Sequence, residues 1–264
     1  MKTNKIIQFI TVLIIAIALG ACNNVEPIAA TAPDGGIAFY NASQVLTSPL
    51  ILLNTDDVNY KPDSLAGVVE EVGMPEFKLS TGKQWMAPAG AISDSYPWVS
   101  YVRVLPGLQQ VTFLTADKKA VTTINVPIAA SESFTVYLTD SMGTCHSYAV
   151  SDQCSTLAGK VQLNMVHVSP DAGKLLLRVN NKWLNDKTMN YRGNTGFVSF
   201  DAPGDNTQLD VVVSNAADTT DLLGTTVIMT KPGHCYTLIL KGYVKGYTNP
   251  VINPGFQLSV VKNK

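Results

Sequence analysis

Val161-Gln162-Leu163-Asn164-Met165-Val166-His167-Val168-Ser169-Pro170-Asp171-Ala172 is the stretch on which the fold turns. Val161, Leu163 and Met165 alternate with Gln162 and Asn164, the period of a strand with one buried face. The apolar run reaches Val168 and stops at Ser-Pro-Asp-Ala, where proline presets φ and aspartate bonds its own backbone. Working outward, 175–179 places Leu175, Leu177 and Val179 on one face, and 197–200 ends before Pro203-Gly204. Residues 209–213 align Leu209, Val211 and Val213, and 225–229 stops at Lys231-Pro232-Gly233. Residues 235–240 align Tyr236, Leu238 and Leu240, and 256–260 align Phe256, Leu258 and Val260. Seven short strands in about 100 residues, with no competing helical period, predict an all-β, Ig-like sandwich.

The N-terminal half repeats this order. Ile37-Ala-Phe-Tyr-Asn-Ala-Ser43 matches Leu163-Asn-Met-Val-His-Val-Ser169, and Ser133-Phe-Thr-Val-Tyr-Leu138 matches Cys235-Tyr-Thr-Leu-Ile-Leu240. Val99-Ser-Tyr101 before Pro106-Gly107 matches Val198-Ser-Phe200 before Pro203-Gly204, and Gln110-Val-Thr-Phe113 matches Gln208-Leu-Asp-Val211. Collinear landmarks predict two tandem sandwich domains. The expected organisation is a signal peptide (1–21), a lipidated cysteine and tether (22–36), domain 1 (37–150), a linker (151–158) and domain 2 (159–264). Domain 2 is expected to fold alone on a core including Leu163, Met165, Leu177, Val211 and Leu238. Domain 1 carries a long insert, 55–98: 44 residues where domain 2 uses 17 for the same connection. Loops that long are uncommon in compact domains unless they are functional or flexible.

Composition bounds the function. Of 264 residues, 46% are apolar and 15% charged, enough to bury a core and unlike a disordered chain. The formal charge of −1 becomes −3 once Lys2 and Lys5 leave with the N-terminal segment, which argues against a basic nucleic-acid binder.

That N-terminal segment reads as an address. Lys2 and Lys5 precede the apolar run 6–19, too short to span a bilayer comfortably and typical of a secretory signal. It ends in Leu19-Gly20-Ala21-Cys22, which resembles the bacterial lipobox. The resemblance implies cleavage before Cys22, acylation of its sulfur and attachment to a membrane. Each buried CH₂ of acyl chain contributes about 0.8 kcal/mol, so several chains anchor the protein firmly. Asn23 and Asn24 follow where, in enterobacterial lipoproteins, aspartate means inner-membrane retention, so the resemblance implies the outer membrane. Periplasmic face and cell surface stay open. Residues 23–36 are a short Pro/Ala/Gly tether.

The strand ending Val166-His167-Val168-Ser169-Pro170-Asp171-Ala172, followed by an apolar strand ending near Asn180-Asn181, resembles domain-of-unknown-function family 4397. The resemblance covers domain 2 well and domain 1 weakly, since Ala42-Ser43-Gln44-Val45 lacks the Pro-Asp pair. It implies a repeated, secreted or lipid-anchored unit and no catalytic residues. With the lipobox, the chain is also similar to lipoproteins of the Bacteroidota.

Few residues suggest chemistry. Cys145 and Cys154 are close in sequence and are expected to form a disulfide contributing on the order of 2.5 kcal/mol. Cys235 is expected to be a small buried thiol, with pairing to Cys145 or Cys154 as the alternative. His146, His167 and His234 form no zinc spacing, and His167 is expected to brace the Ser-Pro-Asp turn. Asp56-Asp57 and Asp218…Asp221 lack the order of a calcium loop, and no nucleophile elbow, P-loop or dinucleotide fingerprint is found. No metal, cofactor or catalytic residue is therefore assigned. Trp85 in the insert, Trp183 in the equivalent domain 2 loop, and Tyr243 and Tyr247 in a later loop are the candidate ligand-binding rings.

These features predict a non-enzymatic, lipid-anchored envelope or cell-surface protein acting as a binding or adhesive module. Its partners would be the membrane, through the anchor, and a glycan or protein ligand, with no nucleic acid. The alternative is a glycan-binding accessory lipoprotein of a polysaccharide-uptake system. A hydrolase using carboxylates of the insert is third.

Overall fold

The computed structural model describes residues 35–46, 49–53, 76–78, 96, 99, 101–245 and 255–263. The described residues are all-β and contain no helix. The first eight strands are β1 (Gly35–Asn41), β2 (Leu50–Leu53), β3 (Glu76–Lys78), β4 (Val102–Val104), β5 (Gly107–Leu114), β6 (Ala120–Ile128), β7 (Ser133–Ser141) and β8 (Thr144–Ser151). Nine follow: β9 (Lys160–His167), β10 (Leu175–Val179), β11 (Lys182–Trp183), β12 (Gly193–Asn194), β13 (Val198–Asp201), β14 (Thr207–Asn215), β15 (Leu222–Thr230), β16 (Cys235–Lys241) and β17 (Gln257–Lys262). All seven strands expected between 161 and 260 are present. The two-residue strands β11 and β12 are additional.

Two equivalent sets of sheets result. One pairs β4-β1-β7-β8 with β3-β2-β5-β6, and the other pairs β12-β9-β16-β17 with β11-β10-β14-β15, β13 also lying on β9. The repeat read in sequence holds at the level of register. Ile37 lies opposite Phe134 in the parallel pair β1/β7, and its counterpart Leu163 lies opposite Tyr236 in β9/β16. Ala42 N donates to Leu138 O, and Val168 N to Leu240 O, closing both pairs alike.

Each sheet pair encloses its own core. Phe39, Ile51, Val111, Phe113 and Leu138 fill the first, and Leu163, Met165, Leu177, Val211 and Leu238 the second. A third apolar cluster joins them: Ala38, Tyr40, Tyr137 and Val150 pack against Val166, Val168, Ile239 and Val261. The β1/β7 sheet and the β9/β16 sheet are therefore covered on both faces, and every residue of β1 and β16 is buried. The four sheets stack as layers around three cores, and the middle core is a seam between the two repeats. Residues 159–264 on their own would keep the second core and expose that seam.

Other ties cross between the halves. Val99 N donates to Lys262 O on β17. Tyr96 accepts from Met229 N and donates to Val227 O on the edge strand β15, and its ring meets Tyr236 edge-on at 5.9 Å. Tyr96 of the insert is thus tied to the second sandwich. The segment expected as the linker is hydrogen-bonded to both halves. Asp152 is buried, its N–H donates to Ser133 O, and Ser155 N donates to Gln162 Oε1.

The expected Cys145–Cys154 disulfide does not form. Cys154 pairs with Cys235, 81 residues away, and Cys145 is free. The reason is the extension of β8. Cys145 is the second residue of that strand and Cys154 lies beyond its end, nine residues on, which at about 3.3 Å per residue is roughly 30 Å. Cys235 instead sits opposite Gln162 at the start of β16, beside the segment that carries Cys154.

Candidate functional site

The strands β1, β7, β9 and β16 all end on the same side, and their loops converge on one carboxylate. Asp140, near the end of β7, is 2% exposed. Its Oδ1 accepts from Gln44 N at 2.5 Å, in the β1–β2 loop. Its Oδ2 accepts from the Tyr243 hydroxyl, in the β16–β17 loop. Its main-chain oxygen accepts from the Tyr191 hydroxyl at 3.1 Å. Tyr243 in turn accepts from Met142 N at 3.2 Å, at the β7–β8 turn. Burial, and then the Asp140 carboxylate, push the Tyr243 phenol well up, so it stays a neutral donor. One buried aspartate therefore fixes loops from both repeats.

The Ser-Pro-Asp turn completes this end. His167 is buried, with Nδ1 accepting from Ser169 N at 3.3 Å and Nε2 facing Gly173 O at 2.9 Å, so the ring is neutral and protonated on Nε2. Burial lowers its basicity in keeping with that. His167 braces the turn, as its position in sequence led us to expect. Ser169 Oγ donates to Gly242 O at 2.6 Å, and the two Asp171 oxygens accept from Val244 N and Lys245 N at 2.8 Å each. In the first repeat Asn41 stands in for His167: its Oδ1 accepts from Ser43 N at 2.9 Å. An amide replaces an imidazole because both offer an acceptor at the same point past the strand end.

Three apolar residues are exposed on the loops at this end, beside exposed Thr144 and Lys245. Met142 is 77% exposed and Val45 and Val244 are 39% exposed each. Met142 also has φ 48°, in the two-residue turn Met142-Gly143 of the β7–β8 hairpin. Such a turn favours asparagine or glycine at its first position, because positive φ crowds a Cβ. A long apolar side chain held there, outward, is the least expected feature of this end.

The rings singled out in sequence fare differently. Tyr243 is not an exposed ligand platform: it is 3% exposed, because the hydroxyl closes the hub from inside. Trp183 is half-buried on β11, with the Arg178 guanidinium 5.0 Å from its ring centroid. It is presented by the β10–β11 hairpin, whose turn residues Asn180 and Asn181 have φ 47° and 64°. The Asn-Asn pair between two apolar runs carried that hairpin signal. Trp85, Tyr247 and Cys22 lie outside the described residues. Met142 and Asp140 were not singled out in sequence. A hydrophobic residue before glycine at a hairpin tip was the available signal for the first. A buried carboxylate with distant partners leaves no local signal.

Among the described residues no group of acidic, histidine or cysteine side chains is arranged to hold a metal. No helix among them is long and apolar enough to cross a membrane.

Comparison with curated proteins finds no match. Among solved structures, a Bacteroides fragilis protein described as a "putative cell adhesion protein" aligns over 88% of this chain and 98% of its own, at 9% identity and a TM-score of 0.21. Residues 97–178, which run from just before β4 into β10 and include the Val166–Ala172 motif, match the family model described as Domain of unknown function (DUF4397).

Proposed function

We propose that the protein is a non-catalytic binding and adhesion module, held to the cell envelope by an acylated Cys22, whose contact surface is the loop end over Asp140. The observation that carries this reading is Met142, an exposed methionine kept at positive φ on a rigidly pinned tip. Strained backbone at an exposed apolar residue is retained where it serves contact, and methionine adapts to varied surfaces. Val45 and Val244 are exposed on two further loops fixed by the same carboxylate. Preorganised loops lose little conformational entropy on binding, which favours affinity.

The test is Met142→Asn in the full chain. Asparagine suits the turn, so thermal stability should hold or rise slightly. Adhesion of cells displaying the protein to host or bacterial surface extracts should fall at least tenfold in half-maximal concentration. Unchanged adhesion would reject this surface. The glycan alternative rests on Trp183: a glycan array with Trp183→Ala losing signal, and Met142→Asn keeping it, would favour that reading instead.

The anchor is tested separately. Metabolic labelling with a clickable fatty acid should mark the wild type and not Cys22→Ser. Equal labelling of the two would remove the anchor from the proposal.

A further inference from the structure

The seam between the repeats holds a buried polar cluster as well as apolar packing. Asp152, just past β8, is 6% exposed. Its Oδ2 accepts from the Thr135 hydroxyl at 2.5 Å and the Tyr101 hydroxyl at 3.1 Å, both in the first repeat. Its Oδ1 accepts from Asn263 Nδ2 at 3.2 Å, just past β17 in the second. Asn263 is itself held by Thr237 Oγ1 at 2.7 Å and by its N–H on Cys235 O. One carboxyl therefore joins β7 and the segment before β4 to β16 and β17.

The charges around it do not balance an anion. Tyr101 and Tyr137 face Asp152, and burial together with that carboxylate pushes both phenols up, so both stay neutral. Tyr40 and Tyr148 lie behind Tyr137 at 5.7 and 6.5 Å between rings. Of the buried lysines on the adjoining strands, Lys241 donates to the Tyr40 hydroxyl at 3.0 Å. Lys262 is buried on β17, and among the described residues burial, Thr135 and Tyr101 are what act on the Asp152 carboxyl, with no cation beside them. An ionised carboxylate sealed between two sheets without a cation costs stability that its hydrogen bonds only partly return. Protonation needs no rearrangement beyond rotation of one hydroxyl, since Thr135 can turn from donor to acceptor.

We propose that the seam between the two repeats is a proton-dependent latch, tight while Asp152 is neutral and loosened when that carboxyl ionises. Burial raises the Asp152 carboxyl from an ordinary 3.8 to about 7, with the two hydroxyls pulling the other way. The folded chain then binds this proton more tightly than the unfolded chain. Its contribution is complete below the unfolded value and is lost as pH rises through about 7. A single group can change the folded-to-unfolded ratio by at most tenfold per pH unit in that window. His167, whose basicity burial lowers, acts with the opposite sign, so the comparison must be between wild type and an Asp152 variant.

The experiment is urea unfolding of the full chain from pH 4.5 to 8.5, with hydrogen exchange at pH 5.5 and 8. Between pH 5 and 7.5 the wild-type ratio should fall relative to Asp152→Asn by several-fold per unit. Protection, corrected for intrinsic rate, should drop at Val99, Asp152 and Asn263 before it drops in β5 and β14. Thr135→Val removes a donor to the charged form, so its break should move to higher pH. Parallel pH profiles for wild type and Asp152→Asn would overturn the latch, as would exchange that rises uniformly across all four sheets. Should Asp152→Asn fail to fold, an unmoved break in Thr135→Val overturns it equally.

Discussion

Tyr137→Ala should lower the unfolding free energy by about 3–5 kcal/mol, as truncation of a large core aromatic does. Tyr137 is 1% exposed and belongs to neither sandwich interior. Its ring packs between Tyr40 and Tyr148 against the second repeat, so its removal opens a cavity in the seam. Urea denaturation followed by tryptophan fluorescence and far-ultraviolet circular dichroism should show one coincident transition in the wild type, because the shared middle core couples the repeats. A loss below about 1 kcal/mol, or two separated wild-type transitions, would mean that the repeats touch without depending on each other.

The Cys154→Ala/Cys235→Ala double variant should lose about 2–4 kcal/mol, and Cys145→Ala should lose far less. The bridge closes a loop spanning 81 positions, for which the chain-entropy argument gives about 4.5 kcal/mol. It also fastens the start of β16 to the segment leaving β8, beside Asp152, so its loss loosens the same seam. Peptide mapping without reductant should recover a Cys154–Cys235 pair. Recovery of Cys145–Cys154, or a double variant as stable as wild type, would contradict this assignment.

How far the sequence could be read depended on the range of each interaction. Alternation in 161–165, 175–179 and 209–213 places residues on one face or the other by geometry alone, so strands, turns and the second core were legible. The repeat was legible for the same reason: Ile37 with Leu163, and Phe134 with Tyr236, keep the same local pattern and end in the same register. The disulfide was misread because nearness in sequence is not nearness in space once β8 extends between the two cysteines. Tyr243 was misread because a ring in a Gly-Tyr loop looks exposed until a carboxylate 103 residues earlier accepts its hydroxyl.

The sequence by itself determined an all-β chain with a duplicated sandwich pattern, since a period of two and well-placed turns need only neighbouring residues. It also held, unread, the sign that one more face would be covered. Cys235-Tyr-Thr-Leu-Ile-Leu240 is almost continuously apolar, and strands buried on both sides read as runs and not as alternations. Which surface covers that second face was decided only by the tertiary structure. Val166, Ile239 and Val261 meet Ala38 and Tyr40 across more than 100 residues of chain, with Tyr137 in the same cluster. The same packing set the Asp140 hub and the Asp152 cluster, because burial and hydrogen bonding of a carboxyl depend on what the folded chain brings around it.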